Sequence, residues 1–422
     1  VNRGRRRPLL ALAWTAAVLL PGCADRRPGP ERIVLIVIDT LRRDHVSLYG
    51  GNHRTPHIDH LAEGGLVVRD LSASFHQTSM SMGALFTGRT PSLESGDRSR
   101  PLAWTGRTWC GLTRFASPDD GSSCIPDALR TLPERLQEAG YWTIGVTSNQ
   151  LLFAPAGFER GFDHYTEVGE KGPRAWRTRT WPRVQEAVAA ALARRSRDRF
   201  FLYVHYMDAH DYRLRGVPYA RGVQSADEGV GALLDHLREQ DLLDAATVVL
   251  TSDHGEMLGE QYPPGRSRRR WNHLGNPSYQ PVLEVPLVVV PPPAFALPSP
   301  IRTQDLHDLV LRLAGLEVSP QRDLEPDELL LTERKYLTYR RGRFKASFPR
   351  VKGWPVLFDL EADPREQRNA ARQHPDVMKR YRRRADALAA SLAARAAFTG
   401  KLTPEDRSRL EALGYLGEEP SR

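Results

Sequence analysis

Residues 33–38 are an unbroken run of aliphatic side chains. The run is too short for a typical helix and lacks the alternation of a half-exposed strand. It predicts a central strand in a sheet covered on both faces. Similar short runs recur at residues 142–146, 200–205, 247–251 and 285–290. Helical signals fall between them. Thr131 and Glu134 are spaced as a capping box, Pro133 sits in the first turn, Leu132, Leu136 and Ala139 follow at helical spacing, and Gly140 ends the helix. A second helix is predicted over residues 227–239, with Val230, Leu233, Leu234 and Leu237 on one face. Strands alternating with helices predict an α/β fold with a doubly wound, mostly parallel sheet.

The texture changes after Pro291-Pro292-Pro293. A helix is predicted over residues 305–313. Short strand-like pieces follow at 336–339 and 344–347, joined by Arg341-Gly342 as in a hairpin, with Phe358 and Leu360 beyond. Residues 330–362 read as a small antiparallel subdomain. Residues 376–395, rich in Arg and Ala, read as an amphipathic helical tail that packs on the main domain or lies on a membrane surface. The domain plan is a main unit over residues 33–329 and a C-terminal subdomain with its tail over 330–422. A chain of 422 residues exceeds the size at which one hydrophobic core keeps growing, in keeping with two units.

The first segment is basic at Arg3, Arg5, Arg6 and Arg7, apolar over residues 9–20, and closes on Pro21-Gly22-Cys23. Residues 1–23 resemble a bacterial lipoprotein signal, in which Cys23 would be lipidated; the other reading is a secretory signal with an incidental cysteine. The apolar run is shorter than the roughly 20 residues that span a bilayer. Either reading implies export. Lipidation implies a periplasmic or cell-surface protein anchored to a membrane, with the polar, Pro-rich residues 24–32 as a tether. Cys110 and Cys124 flank a Gly/Ser/Pro-rich stretch. In an oxidising compartment they are expected to form a disulfide, the alternative being two buried thiols. The net charge of +9 comes from arginine, because lysine occurs only at 171, 335, 345, 352, 379 and 401. With four of the arginines in the first segment, the remaining excess gives no reason to expect a nucleic-acid partner.

Acidic and imidazole side chains fall where the strand runs end. Asp39 follows the first run, Asp208 and His210 follow the 200–205 run, and Asp253 and His254 follow the 247–251 run. The carboxyl ends of parallel strands form the ligand crevice of an open α/β sheet, so these side chains are expected to converge. One Asp in such a place is usually a turn or cap residue. Three such places together point to a metal centre.

Residues 33–45, ending Asp39-Thr40-Leu41-Arg42-Arg43-Asp44-His45, resemble the opening motif of the sulfatase family, within the alkaline phosphatase superfamily. Thr55-Pro56-His57-Ile58-Asp59 with Leu61-Ala62 is similar to the family's next segment. Thr251-Ser252-Asp253-His254-Gly255-Glu256 resembles its late metal motif, and Leu283-Glu284-Val285-Pro286-Leu287 the strand after it. Leu357-Phe358-Asp359-Leu360-Glu361-Ala362-Asp363-Pro364, with Glu366 and Asn369, resembles the C-terminal signature. Leu410, Leu413, Gly414 and Tyr415 resemble a terminal element of relatives with a Thr nucleophile.

The resemblance implies a nucleophile at the start of a helix. Aligning Leu85-Phe86-Thr87-Gly88-Arg89 with the end of that helix puts Thr78 where many members carry a cysteine oxidised to formylglycine. The segment Thr78-Ser79-Met80-Ser81-Met82 has no cysteine, which excludes formylglycine there. It is similar instead to relatives with an unmodified Thr, among them nucleotide phosphodiesterases and phosphoethanolamine transferases. An alcohol becomes a useful nucleophile when a metal withdraws its proton and a helix N-terminus favours the anion. The structural alternative is that Thr78, Ser79 or Ser81 only caps the helix.

Asp39, Thr78, Asp253 and His254 are the implied ligands of a divalent metal. His254 stands where calcium sulfatases typically carry Asn, which favours zinc or manganese over calcium. His210 and His273 resemble the pair that holds a second ion in the transferases; with one ion they would contact the oxyanion or protonate the leaving group. Met82 replaces a family Arg, the sulfate-clasping lysines have no counterpart, and Glu284 stands where Arg is usual. Arg42 or Arg43 is the candidate to compensate, and Arg42 and Asp208 are the candidate substrate contacts. Residues 92–127 and 256–270, the latter with Arg266, Arg268, Arg269 and Arg270, are expected to frame the site. The expected function is metal-dependent hydrolysis of a sulfate or phosphate ester of a small molecule or glycan. The alternatives are a phosphodiesterase or phosphoethanolamine-type transferase, and a catalytically inactive binding protein on the same scaffold.

Overall fold

The computed structural model describes residues 29–91, 125, 129–149, 151–152, 154, 157–169, 178–261, 269–273, 278–318, 324–333, 335–350 and 352–393. Cys23, Cys110 and Cys124, with the expected lipidation and disulfide, lie outside the described residues. So do most of 92–127, residues 262–268, and the 410–415 element.

The main unit runs β1 (Arg32–Ile38), α1 (Pro56–Ala62), β2 (Leu66–Val68), β3 (Leu71–Ser72), α2 (Thr78–Thr87), α3 (Leu132–Glu138), β4 (Trp142–Thr147), β5 (His164–Glu167), α4 (Trp181–Ala193) and β6 (Phe200–Tyr206). It continues through α5 (Tyr219–Glu239), β7 (Ala246–Thr251), β8 (Leu258–Gln261), β9 (Arg269–Trp271), α6 (Gln280–Leu283), β10 (Leu287–Val290), β11 (Ile301–Arg302) and α7 (Asp305–Leu313). The C-terminal part comprises β12 (Glu328–Thr332), β13 (Tyr336–Arg341), β14 (Phe344–Pro349), β15 (Val356–Asp359) and α8 (Pro375–Ala393).

Seven strands form the central sheet in the order β2-β10-β7-β1-β6-β4-β5. The β7, β1, β6, β4 and β5 pairings are parallel, and β10 runs antiparallel to both β7 and β2. The aliphatic run of β1 is buried on both sides. Ile33, Leu35 and Val37 pack into one core with α2, α3 and α7, while Val34, Ile36 and Ile38 pack into the other with α1, α4 and α5. This alternation is the physical content of a doubly wound sheet.

The capping box at Thr131 is formed as the sequence predicts, with Glu134 N–H bound to Thr131 Oγ1 and the Glu134 carboxylate accepting from Thr131 N–H. The helix predicted over 227–239 starts earlier, at Tyr219. Gly222 lies within this added segment and permits close packing, since a Cβ there would sit 2.9 Å from the Asp208 carbonyl oxygen. The Asp227 carboxylate, inside α5, accepts hydrogen bonds from the His57 and Ile58 amides at the start of α1.

The antiparallel subdomain is a four-stranded sheet in the order β12-β13-β14-β15, with the predicted hairpin between β13 and β14. It buries Leu330, Leu337, Phe348 and Leu357 against Tyr381, Ala385, Leu388 and Leu392 of α8. The tail therefore packs on protein. Buried Lys345 of β14 donates to Ser278 O at 2.7 Å and Gln280 Oε1 at 2.9 Å and pairs with Glu366, joining this sheet to α6 of the main unit. No helix among the described residues is long and apolar enough to cross a membrane.

Candidate metal centre

β1 and β7 are adjacent and parallel, so Asp39 and Asp253 leave the sheet at the same edge. Thr40 between them has φ 57°, a left-handed conformation that a β-branched residue adopts only under constraint. That turn aims the Thr40 amide at Asp253 Oδ1, 3.1 Å away, while the Leu41 amide reaches Ser252 Oγ at 2.9 Å.

Asp39, Asp253 and His254 are fully buried, and each brings one ligand-type atom to within 4.8 Å of the others'. Asp39 Oδ2 accepts from Asn149 Nδ2 at 2.6 Å, His205 Nε2 at 3.2 Å and Thr78 Oγ1 at 3.2 Å. Asp253 Oδ1 accepts from the Thr40 and His254 amides. The remaining oxygens, Asp39 Oδ1 and Asp253 Oδ2, are buried without a hydrogen-bond partner. His254 Nδ1 donates to Gly255 O at 3.0 Å, which leaves the lone pair on Nε2, 3.4 Å from Asp253 Oδ2. Two unsatisfied carboxylate oxygens beside an imidazole lone pair form a costly arrangement without a cation and a suitable donor set for a divalent one.

The electrostatics agree. Burial, then the Asp39 charge, push the Asp253 carboxyl up to about 6. Burial also opposes ionisation of Asp39, but the His205 hydrogen bond and the charges of His210, His205 and His254 hold it below the usual carboxylate range. Burial holds His254 below its ordinary value.

Thr78 is the first residue of α2, and Gln77 occupies the cap position without a side-chain cap bond. The Thr78 hydroxyl lies 3.2 Å from Asp39 Oδ2 and 3.3 Å from His254 Nε2. The next turn is tied to the same edge by Ser81 Oγ, which donates to Asp253 O at 2.6 Å. Met82 is fully buried in the core.

His210 and His273 come to the same region, with ring centres 5.8 Å apart, and His273 lies 4.5 Å from the His254 ring. Burial disfavours an imidazolium at His210, but its Nδ1 donates to Asp211 Oδ1 at 3.0 Å, and this carboxylate, then Asp39, raise it to about 9. Burial, then the His210 charge, hold His273 well below its ordinary value. His273 Nδ1 faces Glu256 Oε2 at 3.4 Å, and burial pushes Glu256 up to about 7.

The two expected substrate contacts have other employment. Arg42 is buried and gives its guanidinium to Asp44, Glu260 and the Glu256 carbonyl. Arg43 pairs with Glu284. Asp208 turns away from the cluster and accepts from Thr180 N and Oγ1, Trp181 N, Ser225 Oγ and Arg215, so its charge sits at the N-terminus of α4. Through these bonds both side chains hold loops around the site. His205, Asn149 and Glu256 were missed as functional candidates. Asn149 was accessible to the strand-end rule, since it lies two residues beyond β4. His205 was hidden inside a strand. Two residues before His273 in the chain, Trp271 is 45 % exposed, with the Arg213 guanidinium 5.7 Å over its ring.

A metal-binding cluster at the carboxyl edge of a doubly wound sheet, with a hydroxyl at a helix N-terminus beside it, defines a metal-associated α/β hydrolase. The sulfatase family model matches residues 31–315, more than half of the sequence, and the chain belongs to the sulfatase family of the alkaline phosphatase superfamily. Human N-acetylgalactosamine-6-sulfatase is 25% identical over 282 residues, covering 56% of this chain and 52% of that protein. The N-acetylgalactosamine-6-O-sulfatase of Bacteroides thetaiotaomicron is 23% identical over 521 residues, covering 90% of this chain and 97% of that protein. The phosphonate monoester hydrolase of Agrobacterium radiobacter shares the fold, with a TM-score of 0.58 at 16% identity over 87% of this chain and 96% of the other.

Proposed function

We propose that this protein hydrolyses sulfate esters, with phosphate esters as the alternative substrate, using Thr78 as nucleophile in place of the family's formylglycine. The observation carrying this reading is the Thr78 hydroxyl at the N-terminus of α2, close to both Asp39 and His254. Asp39, Thr78, Asp253 and His254 would hold one divalent ion, and the imidazole among them favours zinc or manganese over calcium. When bound, the ion supplies positive charge that lowers the proton affinity of the hydroxyl and offsets the charge of the ester.

Thr78 Oγ1 attacks sulfur or phosphorus, the bond to the organic oxygen breaks, and that oxygen leaves with a proton. Water then attacks the Thr78 ester, releasing the inorganic anion and restoring the hydroxyl. The N-terminal end of α2 favours the negative charge of the transferring group. His210 and His273 would deliver and withdraw these protons, or hold a second ion.

For the organic portion, the relatives named as N-acetylgalactosamine sulfatases motivate a sulfated glycan. Trp271 and Arg213 are consistent with it, offering an apolar ring face and a cation to an anionic sugar. Lipidation at Cys23 would anchor the enzyme to a membrane on the periplasmic or cell-surface side.

Metal content, and turnover of paired aryl sulfate, aryl phosphate and phosphodiester substrates, test the proposal with Thr78→Ala and Asp253→Ala alongside. Turnover abolished in both variants is expected, and the preferred substrate decides sulfate against phosphate. Undiminished turnover by Thr78→Ala would remove Thr78 as nucleophile. A metal-free, inactive protein would leave a binding protein on a sulfatase scaffold.

A further inference from the structure

We infer that Asn149 and His205, the latter set by Tyr203, are positioning residues that restrict Asp39 to one metal-facing oxygen and so tune the centre toward zinc-like ions and against calcium. The inference rests on the metal reading of Asp39, Asp253 and His254 given above.

Two fixed donors converge on Asp39 Oδ2 together with the Thr78 hydroxyl. The Asn149 amide cannot turn over without loss on both sides: Nδ2 donates to Asp39 at 2.6 Å while Oδ1 accepts from the Leu151 amide at 2.8 Å. The His205 tautomer is fixed in the same way. The Tyr203 hydroxyl lies 2.7 Å from His205 Nδ1; its hydrogen bond to Nδ1 puts the imidazole proton on Nε2, which donates to Asp39 at 3.2 Å. Tyr203, His205 and Asn149 are all buried, so water does not compete for these bonds.

With Oδ2 so engaged, Oδ1 is the oxygen of Asp39 left for an ion. Asp253 repeats the pattern through different donors, the Thr40 and His254 amides on Oδ1. His254 offers one nitrogen. Each member of the cluster thus brings a single atom. Calcium collects about six to eight oxygens and often takes both oxygens of a carboxylate. Zinc is satisfied by about four donors and accepts imidazole readily. A carboxylate held on its far oxygen therefore discriminates between them, as hydrogen bonds to metal ligands commonly tune affinity.

The test uses the full chain stripped of metal by a chelator. Zinc and calcium affinities are measured by titration calorimetry, with bound metal quantified and folding checked by circular dichroism. The wild type is expected to hold zinc at least about 10³-fold more tightly than calcium. Asn149→Ala and His205→Phe should narrow that ratio by about 10–100-fold. Tyr203→Phe, which keeps the imidazole and frees its tautomer, should narrow it by a smaller factor and serves if the other variants do not fold. An unchanged ratio in folded variants, or zinc and calcium affinities falling in parallel, would overturn the positioning role while leaving the metal centre intact. A wild type that binds neither ion would sink the metal reading, and this inference with it.

Discussion

Thr78 and Asp39, 39 residues apart in the chain, meet through a 3.2 Å hydrogen bond that joins the N-terminus of α2 to the carboxyl end of β1. The bond places a hydroxyl against the same carboxylate that faces the expected ion. Thr78→Ala should therefore reduce kcat by at least about 10³-fold even at saturating metal, as removal of a nucleophile generally does, and should weaken metal binding because Thr78 is also a proposed ligand. Thr78→Ser keeps the oxygen and should recover a measurable part of the activity. Steady-state kinetics with metal analysis check both, and an Ala variant as active as the Ser variant would contradict the assignment.

The pair Asp39 and Asp253 gives a prediction of opposite sign for the protein with and without metal. The Asp253 carboxyl is pushed up to about 6 by burial and by Asp39, so at neutral pH the ionised pair destabilises the metal-free fold. Asp253→Asn keeps the oxygen that accepts from the Thr40 and His254 amides but removes the charge. The variant should stabilise the metal-free protein by about 1–3 kcal/mol. It should also lose most of the stabilisation by zinc, which in the wild type reaches about 4 kcal/mol at a thousandfold excess over Kd. Urea unfolding with and without chelator measures both effects, and a variant less stable in each condition would refute the charge argument.

Trp271 separates binding of a glycan from the chemistry of the ester. Its ring lies under the Arg213 guanidinium, and Trp271 is not a member of the Asp39, Asp253 and His254 cluster. Trp271→Ala should raise KM for a sulfated oligosaccharide about tenfold, equivalent to about 1.4 kcal/mol of lost contact, with kcat for a small alkyl sulfate unchanged. Equal effects on both substrates would assign Trp271 a structural role.

Legibility in the sequence followed burial. β1, β4, β6 and β7 were readable because strands covered on both faces must be continuously apolar, and α3 because Thr131 and Glu134 complete a capping box. α2 had no such signature: all ten of its residues are buried, so it shows no polar face and only the family resemblance located it. Edge strand β2 is three residues long and offers too little pattern. Asp39, Asp253 and His254 were found because they directly follow legible strands. The same rule does not say which way a carboxylate turns, and Asp208 accepts from the Thr180 and Trp181 amides at the start of α4. His205 looked like strand interior, and its partner Asp39 is visible only in three dimensions.

Glu328 links the C-terminal sheet to its helix, and its titration gives a stability prediction far from the metal. Arg384 of α8 donates to both carboxylate oxygens at 2.8 Å, and the Tyr339 hydroxyl donates to Oε1 at 2.6 Å. Burial alone would raise the Glu328 carboxyl, but the bonds from Arg384 and Tyr339 hold it down at about 2. A depressed folded-state value means the contribution is fully present above the ordinary value near 4.5 and fades as pH falls from there toward about 2. The arginine is partly exposed, so screening reduces the benefit; Glu328→Gln should cost about 1–2 kcal/mol at pH 7. The difference between wild type and variant should close as pH drops below 4.5. Urea titrations at pH 7, 5 and about 3.5 follow this directly, and a gap that widens on acidification would show that the Arg384 pair is not what holds α8 to the sheet.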